Sequence, residues 1–278
     1  MECSGKTSKD GMRELQNTKI EQNLAGIKRK IAVMSGKGGV GKSTVAVNLA
    51  VYLSEKGYKT GLMDVDLHGP SVPTILGIKG FPIEVGENKI IPVQYSPNLK
   101  VISIEGLLKD TDEALIWRGP MKIGVIRQFI SDIDWGVLDF LIIDSPPGTG
   151  DEPLTIAQEI KGAEALIITT PQEVSMADVR KSVNFCKTLK MPIIGLIENM
   201  SGFVCPGCGK RTDIFKAGTG AAAAEKMGIN FLGALPIEPK IMTQSDKGAP
   251  FAKETGAESF KIFDEIAGNV LAYKGKQK

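Results

Sequence analysis

Three groups of residues in this 278-residue chain have types and spacings suited to chemistry. The first is residues 36–43, GKGGVGKS, which fit G-x-x-x-x-G-K-[ST]. Glycines at this spacing let successive backbone N–H groups turn onto an anion, and a helix opening at Ser43 adds the positive end of its dipole. Lys42 brings a full charge for β- and γ-phosphates, and Ser43 offers a hydroxyl to Mg²⁺. The candidate phosphate-binding run is Gly36, Lys37, Gly38, Gly39, Val40, Gly41, Lys42, Ser43 and Thr44. The second group is acidic. Asp144 ends the apolar run VLDFLIID and precedes SPPGTGD, the pattern of a carboxylate in a Mg²⁺ shell. Asp64 and Asp66, in LMDVDLHGPS, lie two apart and so share one side of an extended strand. Strand-end capping is the alternative role for these carboxylates, most of all for Asp64. Gly148 is placed to donate its N–H to a γ-phosphate. His68, the sole histidine, reads as a solvated or structural loop residue rather than a proton shuttle.

The third group is the pair Cys205 and Cys208 in VCPGCGK. Pro206 and Gly207 bend the backbone so that the two sulfurs converge. Two thiolates do not close a zinc or iron–sulfur site, since each normally takes four ligands. Two chains facing each other supply four, which fits a surface [4Fe–4S] cluster bridging a twofold axis. Zinc held in the same way, a redox-active pair and a reduced structural pair are the alternatives. Cys3 lies in the polar N-terminal segment, and Cys186, in SVNFCKTLK, reads as a buried, inert thiol.

Short apolar runs must carry these residues. They are 31–35, 60–64, 100–104, 137–144, 165–170, 193–199 and 231–235. Most are continuous rather than alternating, as in strands buried on both faces. Helical patterns fall between them at 42–56, 120–131, 152–161, 174–190, 217–228 and 258–272. The alternation predicts an α/β fold, a doubly wound and mostly parallel sheet with helices on both faces. Residues 81–98, with three prolines, predict an added hairpin or edge strand. Residues 1–28 read as a flexible polar tail, with room for a short helix over Met12–Leu24, and 29–278 as one domain.

Composition narrows the function classes. Lys+Arg is 34 against Asp+Glu 32, a net charge of +2, and aromatics are 6%, which argues against nucleic acid as a partner. No apolar run is long enough to span a bilayer, and the first twenty residues lack the apolar centre of a secretory signal. The expectation is a cytoplasmic protein without a membrane partner, its four cysteines reduced.

The second lysine of the loop, Lys37, makes KGGVGKS resemble the deviant Walker A motif of the nitrogenase iron protein, MinD and ParA class. That resemblance implies a homodimer in which Lys37 reaches the nucleotide of the other subunit. It also implies that Asp66 polarises the attacking water or holds Mg²⁺ through water, and that Asn199 and the loop at Pro236 meet the adenine ring. MSGKGGVGKS, DVDLHGPSVP, WRGPM, IIDSPPGTGDEPLT, ENMSGFVCPGCGK and FLGALPIEP together resemble the Mrp/ApbC family of iron–sulfur cluster carrier ATPases, from about residue 28 to residue 270. The resemblance implies a P-loop NTPase fold and ATP hydrolysis with Mg²⁺ at Lys37, Lys42, Ser43, Asp66 and Asp144. It further implies a [4Fe–4S] cluster at Cys205 and Cys208, received from upstream assembly proteins and passed to apo iron–sulfur proteins. The N-terminal four-cysteine motif of the eukaryotic cytosolic relatives is missing here, where only Cys3 stands.

Two other readings of the same motifs differ in function. One is a positioning ATPase of the MinD or ParA type, switching on a membrane or on DNA. The last helical pattern, ESFKIFDEIAGNVLAY, has apolar residues at helical spacing but an acidic rather than basic polar face, so docking on the core is expected instead of membrane binding. The other is an electron-transfer ATPase like the nitrogenase iron protein. No cysteine between Cys3 and Cys186 supplies that arrangement.

Overall fold

The computed structural model describes residues 4–67, 69–81, 83–86, 89–107, 119–205, 207–214, 218–254 and 258–275. Cys3, His68, Pro206 and the Trp117–Arg118 pair lie outside them. In chain order the elements begin α1 (Ser4–Ala25), β1 (Ile27–Ser35), α2 (Lys42–Glu55), β2 (Thr60–Asp64), α3 (Val72–Leu76), β3 (Glu84–Val85), β4 (Ile90–Ile91), β5 (Val93–Ser96) and β6 (Leu99–Ser103). There follow α4 (Gly119–Asp132), β7 (Leu138–Asp144), α5 (Asp151–Glu159), β8 (Ala163–Thr169), α6 (Glu173–Thr188) and β9 (Ile193–Glu198). The chain closes with β10 (Phe203–Val204), β11 (Arg211–Thr212), α7 (Thr219–Met227), β12 (Phe231–Ala234), α8 (Pro239–Asp246) and α9 (Glu258–Ala272).

Continuous apolar runs give strands buried on both sides. Ile31 and Val33 of β1 face a core built with α2 and α9, while Ala32 and Met34 face the opposite layer beside Cys186 of α6. In β7 the alternation repeats: Phe140 and Ile142 point to the first core, Leu141 and Ile143 to a second core with α1, α4 and α5. The main sheet has the order β12-β9-β8-β1-β7-β2-β6-β5, with every pairing parallel except β5 on β6. This is the doubly wound sheet that the strand–helix alternation predicts. Residues 81–98 form both expected features, a small β3–β4 hairpin and the antiparallel edge strand β5. Helix α9 buries Phe263, Ile266, Ala267 and Val270 against the sheet, as its spacing requires.

The short helix expected over residues 12–24 is present within a longer one, and it is docked on the domain rather than part of a flexible tail. Helix α1 continues to Ala25, and its C-terminal half docks on α4. Ile20 and Leu24 are buried. Arg127 of α4 donates to Gln16 Oε1 at 3.2 Å and Asn17 Oδ1 at 2.6 Å, and the Asn23 amide donates to the Ser131 carbonyl. Two apolar anchors and a few polar ties from a distant helix order a segment whose own sequence has little apolar periodicity.

Candidate nucleotide and cysteine sites

Ser35, Asp64, Asp144, Thr169 and Glu198 all end parallel strands on one edge of the sheet, the edge where open α/β sheets bind ligands. The phosphate loop leaves β1 at this edge and turns into α2. Gly39 and Gly41 have φ of 76° and 80°. At Gly41 a Cβ would occupy the place of the Asn199 amide nitrogen, so glycine is required by both conformation and space. At Gly36 a Cβ would lie 2.5 Å from the Asp178 carbonyl oxygen of α6. No side chain caps the N-terminus of α2, so its first-turn N–H groups keep their capacity for an anion.

Lys42 is buried and donates to Asp144 Oδ1 at 2.5 Å, with Asp66 Oδ2 at 3.9 Å and Ser43 Oγ at 3.4 Å. Asp64 sits beside Asp144 in register on β2 and β7. It accepts hydrogen bonds from the Asp66 N–H and the Ser103 hydroxyl, both at 3.1 Å. Burial, then repulsion from Asp144, holds the Asp64 carboxyl well above the usual carboxylate range. Burial pushes Asp144 up as well, against the downward pull of Lys42. The second oxygen of Asp144, Oδ2, is buried with no hydrogen-bond partner. The orphaned Asp144 oxygen and the Ser43 hydroxyl, both beside Lys42, are oxygen donors of the kind a hard divalent cation takes, a pair of protein ligands whose shell phosphate oxygens and water complete.

The sequence-derived residues do not all converge. Lys42, Ser43, Asp64, Asp66 and Asp144 come together. Lys37 points elsewhere: its Nζ donates to Gln172 Oε1 at 3.0 Å, just ahead of α6. The Gly148 N–H, expected to face a phosphate, donates instead to the Ser35 carbonyl at 2.8 Å. A cleft of about 730 Å³ opens beside the loop, lined by Gly39, Ser43, Thr44, Asn199 and Pro236 among others, with Met200 and Ile237 adding apolar walls. Asn199 also donates to the Val40 carbonyl at 2.8 Å, which fixes its side chain against the phosphate loop.

The cysteines occupy the turn of the β10–β11 hairpin. Cys205 N–H donates to the Lys210 carbonyl at 3.0 Å, and Gly209 N–H to the Cys205 carbonyl at 2.8 Å. Cys205 is partly exposed, Cys208 is exposed, and both are free thiols. The N–H groups of Gly207 and Cys208, then the Cys208 side chain, pull the Cys205 thiol below its ordinary value. Cys186 is the opposite case, buried with its thiol pushed up to about 12 by desolvation. Among the described residues, no group of three or more His, Cys, Asp or Glu side chains is placed to hold a metal ion. The hairpin therefore presents two sulfurs with no third donor of these types placed beside them among the described residues.

Residues 26–271 match the family described as "ParA: NUBPL iron-transfer P-loop NTPase". The chain belongs to this family. A relative from Methanocaldococcus jannaschii named "Iron-sulfur cluster carrier protein" is 52% identical over 236 residues, covering 84% of this chain and 81% of its own length. A protein of the same name from Methanococcus maripaludis is 49% identical, with 97% of both chains covered. Among solved structures, a nucleotide-binding protein of Archaeoglobus fulgidus in complex with ADP superposes with a TM-score of 0.77 at 39% identity, covering 89% of this chain and 96% of the other. Family membership makes the P-loop NTPase assignment of the fold plain.

Sequence reading of this family member missed several residues that the geometry brings in. Glu198, wholly buried, accepts from Ser201 Oγ at 2.6 Å, Thr219 Oγ1 at 3.2 Å and Gly220 N at 2.5 Å, which ties the end of β9 to the start of α7. A charged residue ending the apolar run IIGLIEN was the available signal. Gln172 acts through Lys37, 135 positions away, and Arg211 through a backbone carbonyl of its own hairpin segment, and neither gave a signal. Among the described residues, no helix is long and apolar enough to cross a membrane.

Proposed function

We propose that the chain is an ATP-dependent carrier that holds a [4Fe–4S] cluster between two copies of itself and passes it to apo iron–sulfur proteins in the cytosol. The observation that carries this reading is the exposed hairpin with Cys205 and Cys208 as a half-complete sulfur site, a short distance along the chain from the nucleotide cleft. A twofold axis supplies the other two thiolates. The relatives named as iron–sulfur cluster carriers match over 84% and 97% of the chain and support the cargo.

Each site residue then has a task. The loop Gly36–Thr44 wraps the phosphates of ATP through its backbone, and Asn199 and Pro236 flank the base. Lys42 leaves Asp144 for the β- and γ-phosphates, which frees both Asp144 oxygens. Ser43 and Asp144 would hold Mg²⁺, with Asp66 behind a water; the ion supplies charge neutralisation at the phosphates. Asp66 orients the attacking water. Lys37 exchanges its Gln172 bond for the nucleotide of the partner subunit. Residues 29–278 form the ATPase domain, with α1 packed on its surface. Cluster arrives from upstream assembly proteins, and the nucleotide cycle governs loading and release.

The test is transfer. The anaerobically reconstituted protein, desalted and mixed with an apo [4Fe–4S] enzyme, is expected to restore that enzyme's activity, at a rate altered by Mg-ATP. A loaded protein that restores no recipient activity, with or without ATP, contradicts the carrier reading.

A further inference from the structure

The two walls of the base cleft are also the two segments from which the cysteine hairpin hangs. One wall is Asn199–Met200, at the end of β9; the other is Leu235–Ile237, after β12. Two left-handed residues, Met200 at φ 60° and Gly202 at φ 76°, flank Ser201 and turn the chain from the cleft into β10. A positive φ at methionine is uncommon, and such strain gathers where a ligand or a switch needs it. The walls are cross-tied. Ser201 N–H donates to the Leu235 carbonyl at 2.7 Å, Ile237 N–H to the Gly202 carbonyl at 2.7 Å, and Val204 N–H to the Ile237 carbonyl at 3.3 Å.

The second arm of the hairpin is held by a side chain. Arg211, on β11, donates through Nη2 to the Ser201 carbonyl at 2.9 Å. It lies opposite Val204 in the β10–β11 pairing, next to the cysteine turn. A Cβ on Gly202 would lie 2.8 Å from Arg211 Nε, so the guanidinium packs directly on the turn residue. Ser201 is fixed from the other side by its hydroxyl bond to the buried Glu198.

We infer that Arg211 is a positioning residue: through its bond to Ser201 it makes the geometry of the Cys205–Cys208 hairpin follow occupancy of the base cleft. A base between the two walls fixes Asn199, Met200 and Ile237. The backbone ties then fix the first arm of the hairpin, and Arg211 fixes the second. The inference deepens the nucleotide-and-cluster reading above and rests on it. By linkage, the factor by which nucleotide changes the affinity of the two thiols for a ligated group is the factor by which that ligation changes nucleotide affinity.

The test uses the full-length protein without iron. Alkylation of Cys205 and Cys208 by iodoacetamide is followed by mass spectrometry with and without saturating Mg-ADP. ADP is expected to slow wild-type alkylation by about fivefold or more, the lower end of ordinary coupling between sites. In Arg211→Ala the ratio is expected to fall below about twofold, the change a lost coupling requires, with ADP affinity unchanged. Taking the ratio within each variant cancels the effect of the lost charge on basal thiol reactivity. If Arg211→Ala does not fold, Arg211→Met, which keeps the apolar stem and removes the guanidinium bond to the Ser201 carbonyl, is read in the same way. Equal wild-type rates with and without ADP, or full protection retained in the variant, overturn the inference. A protein that shows this coupling but takes up no iron contradicts the carrier reading alone; one that loads iron without it contradicts the coupling alone.

Discussion

Replacing Cys205 or Cys208 by serine is expected to strip the protein of its iron. After anaerobic reconstitution and desalting, iron should fall from about two atoms per chain to less than about a tenth of that, with the broad visible absorbance of the cluster lost. The reason is the count of ligands. Each chain brings two sulfurs on one hairpin, and the described residues offer no third or fourth donor beside them. A single substitution therefore leaves a twofold assembly with two thiolates of the four that a cluster takes. A serine hydroxyl is a poor replacement, because it holds its proton at neutral pH, whereas the N–H groups of Gly207 and Cys208 favour the Cys205 thiolate. The control is Cys186→Ser. Its thiol, buried and pushed up to about 12, belongs to the packing between α6 and the sheet, so this variant should retain its iron.

The second large effect separates two partners of one ion pair. Lys42→Met and Asp144→Asn should both lower ATP hydrolysis by about 10²–10³-fold, since each removes a charge aimed at the phosphates or their cation. Their stabilities should differ. Lys42→Met leaves Asp64, Asp66 and Asp144 around a site that has lost its lysine, and removal of one partner from a buried pair costs about 3–5 kcal/mol. Asp144→Asn leaves Lys42 with Asp66 still at 3.9 Å and relieves the repulsion on Asp64, so its loss should stay below about 1.5 kcal/mol. Urea unfolding of the nucleotide-free proteins reads the difference. Equal destabilisation would mean that the carboxylates do not act as one group.

Residues whose placement depends on local pattern were legible in the sequence. GKGGVGKS, the aspartates closing apolar strands and the CPGC turn are each contained within a few positions, and the continuous runs 137–144 and 193–199 betray a sheet covered on both faces. What escaped depends on distance in the chain. Of helix α1 only a short stretch over residues 12–24 was legible, and its docking was not, because Ile20 and Leu24 are its only buried apolar anchors among the described residues and its polar ties reach Arg127 and Ser131, more than a hundred positions away. Helices α3 and α8, five and eight residues long, are too short for a periodic signal. The Lys37–Gln172 bond and the Arg211–Ser201 tie appear only when the chain is folded.

The loaded protein itself decides the central proposition. Iron, acid-labile sulfide and molar mass are measured on one anaerobic sample by elemental analysis and light scattering. The expected result is a particle of two chains carrying about four iron and about four sulfide, with no zinc. A single chain that holds its full metal content, or a pair of chains that holds zinc and no sulfide, would contradict it.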